Sequence, residues 1–215
     1  NSEINDSSEQ DEPLYSNLIG AAYQKFCHEN IVPWAPSRLT AESTISILKN
    51  NNKGIISGLK VSIIGVGSIG LKVALYLVEE GCSVVLYNRN KIKSQNIADV
   101  INLTKSEYTI ANASFSYNLS TTMASASTII LSANAKNYIS RNNLRLMPGK
   151  NKLVIDISKN SLTTEARNYV NNFSEKIKYK RVDIGEKLTK LAIAEYFNES
   201  TKHISLPDYK IILRN

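Results

Sequence analysis

The segment Val61-Ser62-Ile63-Ile64-Gly65-Val66-Gly67-Ser68-Ile69-Gly70 runs an apolar strand straight into a Gly-x-Gly-x-x-Gly turn, and the turn into an apolar helix beginning near Leu71. Each glycine has its own task in such a turn. Gly65 makes the tight bend, Gly67 lets the backbone approach a pyrophosphate, and Gly70 lets the helix pack closely on the strand. The helix N-terminus adds backbone N–H groups and the positive end of its dipole. Gly65, Gly67, Ser68, Ile69 and Gly70 are therefore the candidate phosphate cradle; the bland alternative is a glycine turn kept for packing alone.

Context agrees with the cradle. Gly81 ends the helix expected over 68–80, and a second apolar strand follows at 83–88, then a helix at 91–103, which makes a βαβ unit. The alternation goes on with a faint strand at 113–117 and clearer ones at 128–132 and 152–157. A helix at 162–173 and a strand at 178–184 follow, then a helix at 186–197 and a possible edge strand at 209–213. Strands alternating with helices imply a mostly parallel sheet covered on both faces, and six of them fit the doubly wound (Rossmann) arrangement. Ahead of it, residues 14–27 carry apolar side chains at helical spacing, and after Pro33-Trp34-Ala35-Pro36 a connecting helix can start at a Ser37 or Thr40 cap. The expected organisation is an acidic flexible tail at 1–13, an N-terminal helical segment at 14–54 and a Rossmann domain at 55–215.

The second strand ends Leu86-Tyr87-Asn88-Arg89-Asn90-Lys91, about twenty residues beyond the glycines, where an NAD-binding protein places an acid on the ribose 2′-hydroxyl. No acid stands there. Arg89 can meet a 2′-phosphate and stack on adenine, Asn88 and Asn90 can hydrogen-bond, and Lys91 or Lys93 adds charge, so the expected cofactor is NADP(H). A solvated basic turn is the bland reading.

These residues resemble a family. The stretch from Thr40 to Arg89, with Ile56-Ser57-Gly58-Leu59-Lys60-Val61 leading into the glycine loop, is similar to the NADP-binding domains of shikimate dehydrogenase, glutamyl-tRNA reductase and the methylene-tetrahydrofolate or methylene-tetrahydromethanopterin dehydrogenases. The resemblance continues through Ser132-Ala133-Asn134, where it implies that Ala133 and Asn134 pass the nicotinamide, to Val154-Ile155-Asp156-Ile157-Ser158 and Val182-Asp183-Ile184-Gly185. It implies hydride transfer with a small carbonyl, imine or similar substrate. Those enzymes carry a larger N-terminal substrate domain, whereas here about 55 residues precede the strand of the glycine loop, so their catalytic residues find no counterpart. A fragment, one subunit of a split enzyme and a compact reductase all stay open. A second group, the 3-hydroxyisobutyrate and 6-phosphogluconate dehydrogenases and imine reductases, shares the Asn-Arg strand end but places its glycine loop at the extreme N-terminus.

For acid–base work beside a nicotinamide the candidates are strand-end residues, Asp183 and Lys187 first, with Glu186 and Lys187 alternatively the charged first turn of a helix. Asp156 and Lys159 flank another strand end and read as a capping acid and a surface base. His28 and His203 stand far apart, and Cys27 and Cys82 form no metal or disulfide pattern, so no metal is expected and a reducing, cytoplasmic setting is. No apolar run approaches the ~20 residues of a bilayer span, and no basic-then-apolar leader opens the sequence. Five acids fall within the first twelve residues, and the other 14 acids against 26 Lys and Arg leave +12 on the remainder. The bases are scattered without a nucleic-acid-binding motif, so a phosphate-rich small ligand is expected instead of a polynucleotide. Homodimerisation or docking to a partner chain is expected through the helix at 14–27 or the Leu191, Ile193, Ala194, Phe197 face.

Overall fold

The computed structural model describes residues 36–185. The predicted helices at 14–27 and 186–197, the strand at 209–213, and Cys27, His28, Lys187 and His203 lie outside them. The compact unit opens at Pro36 with helix α1 (Pro36–Asn51). Proline suits a first helical turn because its missing N–H would find no partner there. Thr40 Oγ1 donates to the Pro36 carbonyl at 2.8 Å, and both Ser37 and Thr40, the expected caps, sit inside the helix. Ala41, Ile45 and Leu48 of α1 are buried in the same core as the sheet, which makes this helix part of the sheet's unit.

Six strands follow in alternation with helices: β1 (Lys60–Ile64), α2 (Ser68–Glu79), β2 (Ser83–Tyr87), α3 (Lys91–Thr104), β3 (Ala113–Phe115), α4 (Leu119–Ser125), β4 (Thr128–Leu131), α5 (Arg141–Leu146), β5 (Lys152–Asp156), α6 (Thr164–Asn172) and β6 (Ile177–Arg181). Every neighbouring pair is parallel, in the order β3-β2-β1-β4-β5-β6. This is the doubly wound order, whose crevice for ligands opens outside the carboxyl ends of β1 and β4.

The period of two along each strand divides the core. Val61, Ile63, Val84, Leu86, Ile130, Leu153 and Ile155 pack on the side of α1, α2 and α3. Ile64, Ile129, Leu131, Val154 and Ile177 pack on the side of α4, α5 and α6, with Met123, Leu144 and Val170. Central strands buried on both faces read as near-continuous apolar runs, interrupted in β1 by the buried Ser62, and edge strands β3 and β6 do not.

Two short helices, α4 and α5, escape the sequence pattern because they are polar and brief. They are fixed by their caps: Asn118 accepts from the Ser120 and Thr121 N–H groups, and Ser140 and Asn143 form a reciprocal capping box. Strand β6 stops at Arg181, short of the expected 184, because the Asp183 carboxylate accepts the Gly185 N–H at 2.9 Å and turns the chain. No helix among the described residues is long and apolar enough to cross a membrane.

Cys82 is fully buried, and its Sγ donates to the Ile56 carbonyl at 3.0 Å. Burial pushes its thiol up to about 11. In a Cys27→Ser variant, the remaining thiol should therefore resist a disulfide reagent at pH 8.5 and react only as denaturant unfolds the chain. Rapid reaction of the native protein would contradict this packing.

Candidate functional site

Three loops meet at the carboxyl end of the sheet. Gly65 donates its N–H to the Tyr87 carbonyl at 2.8 Å, and Ser132 donates to the Ile64 carbonyl at 2.8 Å, which ties the ends of β2 and β4 to the end of β1. Gly65 adopts φ +96°, a left-handed conformation that favours glycine. Space forbids a side chain as well: a Cβ there would lie 2.3 Å from the Ala133 N and 2.4 Å from its Cα. At Gly70 a Cβ would lie 2.3 Å from the Gly65 carbonyl oxygen, which itself accepts from Ser132 Oγ.

Gly67 is the opposite case. It is exposed, forms the N-cap of α2 with φ −88°, and a Cβ on it would meet nothing within 4 Å. The ends of α3, α4, α5 and α6 are capped by Asn90, Asn118, Ser140 and Thr163, whereas α2 has no side-chain cap. Open space at a bare helix N-terminus is what a pyrophosphate requires. The first and third glycines close the loop and the second leaves room over it, so the residues present fit a dinucleotide.

Asn88 and Arg89 follow β2 directly beside Gly65, with Asn88 half-buried and Arg89 exposed. Arg89 forms no ion pair among the described residues. Asn90 uses its side-chain oxygen to cap α3 through the Lys93 N–H at 3.1 Å. Lys93 is exposed, and Lys91 lies over the Tyr117 ring at 5.5 Å. On the other side of the glycine loop, Ala133 is half-buried against Gly65, and Asn134 is exposed.

The strand end at Asp156 holds more than a capping acid. This carboxylate is fully buried. Its Oδ1 accepts from the N–H groups of Ser158 and Lys159 (3.0 and 3.1 Å) and from the hydroxyls of Ser158 and Ser161 (3.0 and 2.9 Å). Its Oδ2 accepts from the Tyr179 hydroxyl at 2.8 Å and the Ser161 N–H at 3.4 Å. Burial, reinforced by the bond to Asp156, holds the Tyr179 hydroxyl well above its ordinary range, so it remains a donor at neutral pH. The organised loop then grips the chain after β4: Tyr138 and Ile139 both donate to the Ser161 carbonyl at 3.0 Å, and Thr163 donates to that of Ile139 at 3.0 Å. The Tyr138 hydroxyl is buried beside Ser158 and Ser161 without a hydrogen bond of good geometry, and burial raises its pKa.

Asp183 is exposed at the end of β6, with β5 and β4 between its strand and β1. The structure thus brings Gly65, Gly67, Gly70, Asn88, Arg89 and Ala133 together and leaves Asp183 apart from them. Sequence reasoning named Ser132 and Ser158 within the resemblance without giving them a role, and missed Tyr138, Ser161 and Tyr179. The signal available for Ser158 and Ser161 was their spacing after the apolar run that ends in Asp156. Among the described residues no group of three or more His, Cys, Asp or Glu side chains could hold a metal ion.

Comparison with known proteins sets this geometry in a lineage. The family model for shikimate / quinate 5-dehydrogenase matches residues 48–177. No curated protein matches the sequence. Similar solved structures include glutamyl-tRNA reductase from Methanopyrus kandleri, with a TM-score of 0.54 at 18% identity over 86% of this chain and 44% of that one. A dipicolinate synthase subunit from Bacillus halodurans has a TM-score of 0.53 at 21% identity over 69% of this chain and 46% of that one. Phosphoglycerate oxidoreductase from Vibrio cholerae gives 0.53 at 14% identity over 68% and 51%. The chain spans about half the length of these structures, and at such identities the likeness is one of fold.

Two substitutions separate packing from access. Gly70→Ala should destabilise by about 1 to 3 kcal/mol in denaturant titration, since the new methyl meets backbone oxygen. Gly67→Ala should change stability by less than about 1 kcal/mol, because its φ suits alanine and its surroundings are open. Asp156→Asn should cost about 2 kcal/mol or more, because an amide N–H₂ would face donors that now converge on a carboxylate.

Proposed function

Because the chain belongs to the shikimate / quinate 5-dehydrogenase family, we propose that it binds NADP(H) across the three-loop cradle and acts as an oxidoreductase on a small carbonyl, imine or similar substrate. The observation that carries this reading is the junction itself: a helix N-terminus left open at Gly67, with Arg89 beside it at the end of β2. The N–H groups around Gly67, Ser68, Ile69 and Gly70 would receive the pyrophosphate. Arg89, with Asn88 and Lys93, would hold the 2′-phosphate by charge-assisted hydrogen bonds, and the guanidinium plane can also stack on adenine. Ala133 and Asn134 would flank the nicotinamide, and the loop clamped through Ser161 would keep that wall in place. When bound, the nicotinamide supplies or accepts the hydride. Asp183 and Lys187 would move the accompanying proton only for a substrate that reaches from Ala133 past β5 to the end of β6.

A second reading, a cofactor-binding component without its own catalysis, gains from the Bacillus halodurans neighbour, which is one component of dipicolinate synthase. In that reading a homodimer or a partner chain supplies the rest of the substrate site.

Calorimetric titration with NADPH and NADH tests the cradle. NADPH should bind more tightly, and Arg89→Ala should lower its affinity about tenfold, ~1.4 kcal/mol, while leaving NADH little changed. Gly67→Ala should lose both nucleotides while keeping its melting temperature. Equal affinity for the two nucleotides in the wild type would remove the NADP(H) assignment, and no binding of either would remove the cradle.

A further inference from the structure

A cavity of about 180 Å³ opens between α6, β6 and the loop after β5, and it shares no residue with the glycine cradle. Its walls bring together three cations from three separate elements: Lys159 from the loop, Arg167 from α6 and Arg181 from β6. No acid lines it. Among the described residues none of these cations forms an ion pair, since the two pairs present are Arg38–Glu42 and Lys49–Glu80. The Asp156 carboxylate stays buried, and its oxygens are taken by serine, tyrosine and backbone donors.

The gathering is fixed by the surrounding structure. Lys159 adopts φ +72°, rare for a residue with a side chain, and is held there by its N–H bond to Asp156. Arg167 and Arg181 line the same cleft as Tyr179, whose hydroxyl is anchored on Asp156. Beneath them the floor is apolar, formed by the buried side chains of Leu162 and Val170. The three cations line one cleft without an ion pair among the described residues, so an anion placed there gains the attraction of all three.

We infer that this cavity is a binding site for a small organic anion bearing two or three carboxylates, separate from the dinucleotide site. Two planar guanidinium forks match carboxylates in a bidentate way, the lysine adds a point charge, and the Leu162–Val170 floor receives a short carbon skeleton. A bare phosphate ion would leave that floor unused.

The test is calorimetric titration of the full chain with citrate, inorganic phosphate and acetate, repeated on Arg167→Gln, Arg181→Gln and, as a control in the other site, Lys93→Gln. Citrate should bind wild type and Lys93→Gln alike, and either arginine variant should weaken it about tenfold or more, with melting temperatures unchanged in the absence of ligand. Phosphate and acetate should bind much more weakly than citrate. Phosphate binding as tight as citrate would overturn the carboxylate assignment. Citrate binding that is absent, that survives both arginine substitutions, or that is lost in Lys93→Gln instead would overturn the site.

Discussion

The contact between Gly65 and Ala133 is the point on which the architecture turns. Backbone from the loop after β1 lies against backbone from the loop after β4, so closely that no side chain fits between them, and Gly70 brings the start of α2 against the Gly65 carbonyl. That crowding fixes where the helix begins, and hence where its N–H groups point. It also aligns the ends of three strands, because Gly65 and Ser132 are hydrogen-bonded to the carbonyls of Tyr87 and Ile64. Gly67 stays open because its neighbours do the packing. The cradle is thus a by-product of how tightly the sheet is closed around it.

A second organising centre lies one strand further on. Asp156 is a buried charge, which is costly unless fully hydrogen-bonded. Here it gathers the loop that follows its own strand and ties it to Tyr179 on β6. The same loop pairs with the segment after β4 through Ile139 and Leu162. The wall beside Ala133 and the basic cleft beside Tyr179 therefore rest on one carboxylate.

Much of this was legible in the sequence where the cause is local. The strand, turn and helix around Gly65 announce themselves through hydrophobic runs and glycine spacing, and Arg89 was found because it stands where an acid would otherwise be. Strands β1, β2, β4 and β5 followed from their apolar runs, and the edge strands β3 and β6 from their place in the alternation. What stayed hidden has causes spread along the chain. Tyr179 is 23 residues from Asp156, so no window reveals that they meet. Helices α4 and α5 are too short and polar for periodicity to register, and the end of β6 was set by a side chain folding back on its own backbone. Asp156 was read correctly as a capping acid, but burial, which gives it its reach, is a property of the assembled sheet.

Ser132 and Gly65 are 67 residues apart, and the hydrogen bond between them joins the two βαβ halves of the sheet. A junction of such sequence separation is expected to form late, because the chain entropy of closing that loop has to be overcome first. A molecule that grips the finished junction finds no such grip in the transition state. Its effect should fall on the unfolding rate, prolonging the lifetime of the native chain without hastening its arrival.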